Sequence, residues 1–118
     1  MIPLLMVLVL TLFGCGDLVK SVEEGRAYGK AHTLGECDKE SMARLNACEG
    51  EACAIMNVGF PKGCTKTARS DPKFCATNRV GLKDTIVKIK RECSGHRFEK
   101  ACYKYKQAPM ARCLKEMI

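Results

Sequence analysis

Gly81-Leu82-Lys83-Asp84-Thr85-Ile86-Val87-Lys88-Ile89-Lys90-Arg91-Glu92-Cys93 is the stretch that decides the fold. Leu82, Ile86, Ile89 and Cys93 recur at steps of four, three and four, the spacing that lines up side chains on one face of an α-helix. Val80, Ile86, Val87 and Ile89 are β-branched, so a strand is the competing assignment. The polar residues between them follow the helical order and not strict alternation, which favours the helix. Ser94-Gly95 breaks it.

The same period extends in both directions. Downstream, a helix is expected over about His96 to Lys106, and Pro109 opens a last one carrying Cys113 and Leu114. Upstream, Asp71 is a good N-cap with Pro72 at the first helical position. Glu51 to Val58 reads as a short apolar helix, and Gly59-Phe60-Pro61-Lys62-Gly63 as a turn. Met42, Leu45 and Cys48 share a side with Cys37, and Glu49-Gly50 supplies a stop. Asp17 to Glu36 contains Gly25, Gly29 and Gly35 but no cysteine or proline. Leu18, Val19 and Val22 start a short helix there, which Gly25 and Gly29 weaken. The expected fold is all-α, a small disulfide-stapled helical bundle of about five to six short helices over residues 37–118, with residues 15–36 as a tether.

Cysteine spacing is the strongest structural argument. Cys37–Cys48, Cys53–Cys64, Cys64–Cys75 and Cys102–Cys113 are each eleven residues apart. Eleven residues of helix rise about 16 Å, whereas a disulfide needs Cα atoms within about 7 Å. Two such cysteines on one continuous helix cannot bond each other and must reach neighbouring helices. The layout resembles small disulfide-stapled helical hairpins such as the twin Cys-x9-Cys proteins, though the intervals here hold ten residues and, for Cys93–Cys102, eight. The resemblance implies architecture alone, and the pairing stays open among the arrangements that eight cysteines allow.

At the other end of the chain, residues 2–13 form an almost unbroken apolar run that stops at Leu12-Phe13-Gly14-Cys15. Such a run is too short to span a bilayer of about 30 Å, but fits a signal h-region. It resembles a bacterial lipoprotein signal peptide ending in a lipobox, with a leucine three places before the cysteine and a small residue directly before it. The resemblance implies removal of residues 1–14 and lipidation (diacylation, palmitate among the acyl groups) at Cys15. Asp17 lies one place beyond the position where aspartate favours inner-membrane retention, so the implied location is the cell outer membrane, facing the periplasm. An ordinary secretory signal cleaved after Gly16 is the alternative. Either way eight of the nine cysteines remain: Cys37, Cys48, Cys53, Cys64, Cys75, Cys93, Cys102 and Cys113. An even count in an exported chain predicts a disulfide framework.

The formal charge of +7 is uneven. Residues 1–60 hold five bases against eight acids, and residues 61–118 hold fifteen against five. Arg79, Lys83 and Lys90 fall on one side of the expected Gly81–Cys93 helix, and Lys100-Ala101-Cys102-Tyr103-Lys104-Tyr105-Lys106 interleaves lysines with aromatics. Arg79, Lys83, Lys90, Lys100 and Lys104 are therefore the candidate surface for an anion or partner, either an acidic protein or an anionic envelope component. Export argues against nucleic acid.

The chemistry of known sites is sparse. No Cys-x2-Cys occurs, the cysteines are too widely spaced for zinc, and the Cys-Cys-x2-His-Asp signature of a small secreted phospholipase is absent. No phosphate or calcium loop appears. His32 and His96 are the only histidines, and no acid placed to orient either is evident from the sequence. Saposin-like proteins share size, helices and disulfides, but arrange their cysteines differently. The expected function is a non-enzymatic one with no cofactor or metal: a small envelope lipoprotein acting as a binding or structural module. A secreted cationic effector acting on membranes or a host protein is the alternative.

Overall fold

The computed structural model describes residues 18–77 and 82–116. Cys15, the expected signal segment 1–14 and Arg79 lie outside the described residues, as do the side chains of Leu82 and Lys83. Among the described residues the architecture is all-α and disulfide-stapled, with an isolated bridge between Thr33 and Arg69 as its only strand-like pairing. The helices are α1 (Leu18–Gly29), α2 (Leu34–Ala47), α3 (Glu51–Met56), α4 (Gly59–Thr67), α5 (Pro72–Thr77), α6 (Leu82–Cys93) and α7 (Glu99–Glu116).

Helix α2 starts three residues before Cys37 because Thr33 and Glu36 form a capping box. The Thr33 hydroxyl accepts from the Glu36 N–H at 3.3 Å, and the Glu36 carboxylate accepts from the Thr33 N–H at 3.0 Å. These contacts, with the His32 Nδ1 at 3.1 Å, hold the Glu36 carboxyl below its ordinary value. Asp71 caps α5 as expected, accepting from the Phe74 N–H at 3.0 Å. Its second oxygen accepts from the Gly35 N–H at 3.2 Å and so ties the starts of α2 and α5 together.

Four pairs join the eight cysteines: Cys37–Cys64, Cys48–Cys53, Cys75–Cys113 and Cys93–Cys102, with Cα–Cα distances of 5.4 to 5.8 Å. Cys37 and Cys48, at the two ends of α2, do not bond each other, nor do Cys102 and Cys113 of α7, in keeping with the rise of a continuous helix. The core divides accordingly. Leu34, Phe60 and Ala68 pack around Cys37–Cys64 and Cys75–Cys113. Leu45, Ala54, Val58, Ile89, Phe98, Tyr105 and Met110 pack around the other two bridges.

Three sequence expectations give way to tertiary contacts. Residues 18–36 do not form a tether: α1 packs along α4 at a separation that only glycine permits. A Cβ on Gly25 would meet the Phe60 carbonyl oxygen, and one on Gly63 the Val22 carbonyl oxygen. The glycines that weaken a lone helix are what lets these two backbones touch. For the same reason Gly59–Gly63 is helical and not a turn. Pro61 is tolerated because it lies in the first turn of α4, where N–H groups have no partner within the helix. Finally, α7 runs unbroken through Pro109. The ring leaves the Tyr105 carbonyl without its helical donor, but Pro109 is fully buried and bridges at Cys102 and Cys113 clamp the helix on both sides of it.

Helix α6 is present, but its buried face is rotated from the expected one. Thr85, Ile89 and Cys93 face inward, whereas Ile86 is 47% exposed.

Candidate functional site

The first turns of α7 are set against α3 by one strong anchor. Tyr105 is fully buried, and its hydroxyl donates to the Ala54 carbonyl at 2.6 Å. Burial pushes the Tyr105 phenol far above its ordinary range, so it remains a donor. One turn earlier on α7, Lys104, Ala101 and Lys100 stand opposite Ala54, Ile55 and Val58 and enclose a recess of about 200 Å³. Its floor is apolar and both lysines are exposed. A wider recess of about 420 Å³ shares Ala54, Ile55, Lys100 and Ala101 with it, and continues to Glu51, Arg97 and Glu99.

The loop before α7 is fixed by the C-terminal end of α2. Arg97 donates to the Cys48 carbonyl at 2.6 Å and to the Asn46 carbonyl at 3.1 Å, a cation placed where helical carbonyls lack partners. The His96 Nδ1 accepts from the Phe98 N–H at 2.9 Å, so its Nε2 carries the proton donated to the Asn46 Oδ1 at 2.8 Å. Both ring nitrogens thus serve the framework. His32 has an acid that the sequence did not reveal: Glu36, 3.1 Å from its Nδ1. The ring stacks on Tyr28 at 3.7 Å, and Tyr28 in turn packs on Phe60 at 5.5 Å, so the segment expected to be free is docked.

The candidate basic surface divides. Lys100 and Lys104 come together over the apolar recess, and Lys90 is exposed on α6. Arg79 and the Lys83 side chain lie outside the described residues. Sequence reasoning missed Ile55, 59% exposed, which supplies the apolar wall beside the two lysines. An apolar residue in a short helix looks like core until its partners are known.

Buried charge is concentrated elsewhere, between α2, α6 and α7. Lys106 pairs with Asp38 at 3.2 Å and with Glu92 at 3.5 Å. Desolvation raises the Asp38 carboxyl above its ordinary value, against the pull of the Lys106 ammonium. The Asp38 Oδ1 and the Ser41 Oγ, one turn apart, are buried without a hydrogen-bond partner among the described residues. Among the described residues no group of three or more His, Cys, Asp or Glu is placed to hold a metal ion, and no helix is long and apolar enough to cross a membrane.

Compared with protein-family models, curated proteins and solved structures, the chain matches none.

Proposed function

We propose that the protein is a small lipoprotein of the bacterial cell envelope, anchored through Cys15 in the outer membrane and facing the periplasm, whose helical domain binds a partner and performs no catalysis. The observation that carries this reading is the mutual pairing of Cys37, Cys48, Cys53, Cys64, Cys75, Cys93, Cys102 and Cys113. The pairing leaves Cys15, at the end of the lipobox-like Leu12-Phe13-Gly14-Cys15, as the one cysteine outside the framework. Such bridges persist in an oxidising compartment, which export supplies. The recess under Lys100 and Lys104 supports a binding role, since it joins an apolar floor to positive charge and contains no nucleophile with an oriented base.

Intact mass and fractionation of the mature protein test the anchor. The expected product begins at Cys15, carries its acyl groups and sediments with the outer membrane; several chains hold firmly where one does not. Cys15→Ser should block processing or release the protein. A variant that fractionates like the parent, or a parent recovered unacylated from the medium, would overturn the lipoprotein reading in favour of a secreted cationic effector.

A further inference from the structure

The apolar side chains of Leu18, Val19 and Ile55 are exposed where α1 begins and where α3 runs into α4. These two places adjoin. The Ser21 hydroxyl donates to the Met56 carbonyl at 2.8 Å, and a Cβ on Gly59 would meet the Leu18 carbonyl oxygen. The first turn of α1 therefore lies over the residues that directly follow Ile55. Ile55 itself shares its recess with Lys100 and Lys104. This part of the surface thus combines exposed apolar side chains with the Lys100 and Lys104 ammonium groups. The adjoining recess adds Arg97 and the carboxylates of Glu51 and Glu99. Apolar side chains beside lysines favour the interface of an anionic bilayer.

The place of α1 in the chain points the same way. Cys15 precedes Leu18 by three residues, a reach of about 10 Å at full extension. Acyl groups on Cys15 would bring the start of α1 within about that distance of the lipid surface. An acidic protein would complement the lysines, but gives no reason for exposed apolar residues where the anchor enters.

We infer that the surface formed by Leu18, Ile55, Lys100 and Lys104 docks on anionic lipid headgroups and holds the domain against the membrane that anchors it. The direction of approach rests on the lipoprotein reading; the preference for anionic lipid belongs to the face itself.

The chain contains no tryptophan, so Ile55→Trp introduces a single indole reporter at an exposed site. Val87→Trp, on α6 and outside the recess, is the control. The processed, oxidised protein is mixed with phosphatidylcholine vesicles, with and without phosphatidylglycerol, whose brominated chains quench indole on contact. The Ile55→Trp emission should shift to the blue and be quenched on the anionic vesicles, while the Val87→Trp emission stays unchanged. Adding Lys100→Glu and Lys104→Glu should lower the docked-to-undocked ratio at least about thirtyfold, the share that belongs to the two lost cations before the repulsion of the new carboxylates is added. An unacylated mass would sink the lipoprotein reading alone, and the quenching would still decide the docking face. Equal quenching at both indoles, or quenching indifferent to phosphatidylglycerol and to the lysine reversals, overturns the inference. Capture of poly-glutamate by a protein whose indole ignores both vesicle types overturns it in favour of an acidic protein partner.

Discussion

Lys106 holds two carboxylates: the Lys106 and Asp38 side chains are 16% and 18% exposed, and Glu92, 35% exposed, stands on the other side. Removing the cation leaves the Asp38 charge with little solvent and a second carboxylate beside it, whereas removing Asp38 leaves Lys106 still paired with Glu92. Lys106→Met should therefore cost about 2–3 kcal/mol and Asp38→Asn little, because the neutral amide stands in for the protonated carboxyl that burial favours, and the double variant should cost less than Lys106→Met alone. The pH dependence follows from the raised Asp38 carboxyl. A carboxyl raised in the folded state favours folding most when protonated. Its contribution is complete below the ordinary aspartate value of about 3.9 and is lost as pH rises through the folded-state value. Lys106→Met removes the pull that opposes desolvation, so its deficit should shrink as pH falls. Urea titrations of the four proteins across the acid range check this; a deficit that stays constant with pH would mean Asp38 does not titrate in that window.

At the scale of elements, the α1–α4 contact inverts the usual meaning of glycine. In an isolated helix Gly63→Ala stabilises by about 1 kcal/mol, because alanine loses less backbone entropy. In this fold the added methyl would meet the Val22 carbonyl oxygen and force the helices apart. The expected result is destabilisation of about 1–3 kcal/mol, read from thermal or urea unfolding. A stabilised variant would show that α1 does not pack on α4. This contact also explains why residues 15–36 read as a tether: the cost of Gly25 and Gly29 is local and visible, while the benefit requires a second helix that the sequence does not place. The buried face of α6 turned away from Ile86 for a related reason, since only packing against α7 selects which side of an amphipathic stretch faces in.

Across the whole molecule, two long-range and two short-range bridges divide the work of stapling. Cys75–Cys113 and Cys37–Cys64 span 38 and 27 residues, against nine for Cys93–Cys102 and five for Cys48–Cys53. Loop-closure entropy assigns about 4 kcal/mol to the longest and about 2 kcal/mol to the shortest. Replacing Cys75 and Cys113 together by alanine should lower stability well beyond the same change at Cys48 and Cys53. Denaturant unfolding of the two double variants, each checked for absence of free thiol, measures the order. The reverse order would show that native packing around the Cys48–Cys53 loop, which includes the Asn57 amide beside both sulfurs, outweighs chain entropy.

The sequence by itself determined the helical class, the cap at Asp71, the break at Ser94-Gly95 and the exclusion of a disulfide between two cysteines of one continuous helix, because these follow from backbone period, capping chemistry and helical rise. The Thr33-Leu34-Gly35-Glu36 capping box was equally legible but masked by the neighbouring glycines. Only the tertiary structure decided the partners. It turned Gly59–Gly63 into a helix, carried α7 through Pro109, matched each cysteine with its mate and brought Ile55 beside Lys100 and Lys104. Each of these depends on free energy gained between segments distant in the chain, and local propensity, which measures a segment against solvent, contains no term for it.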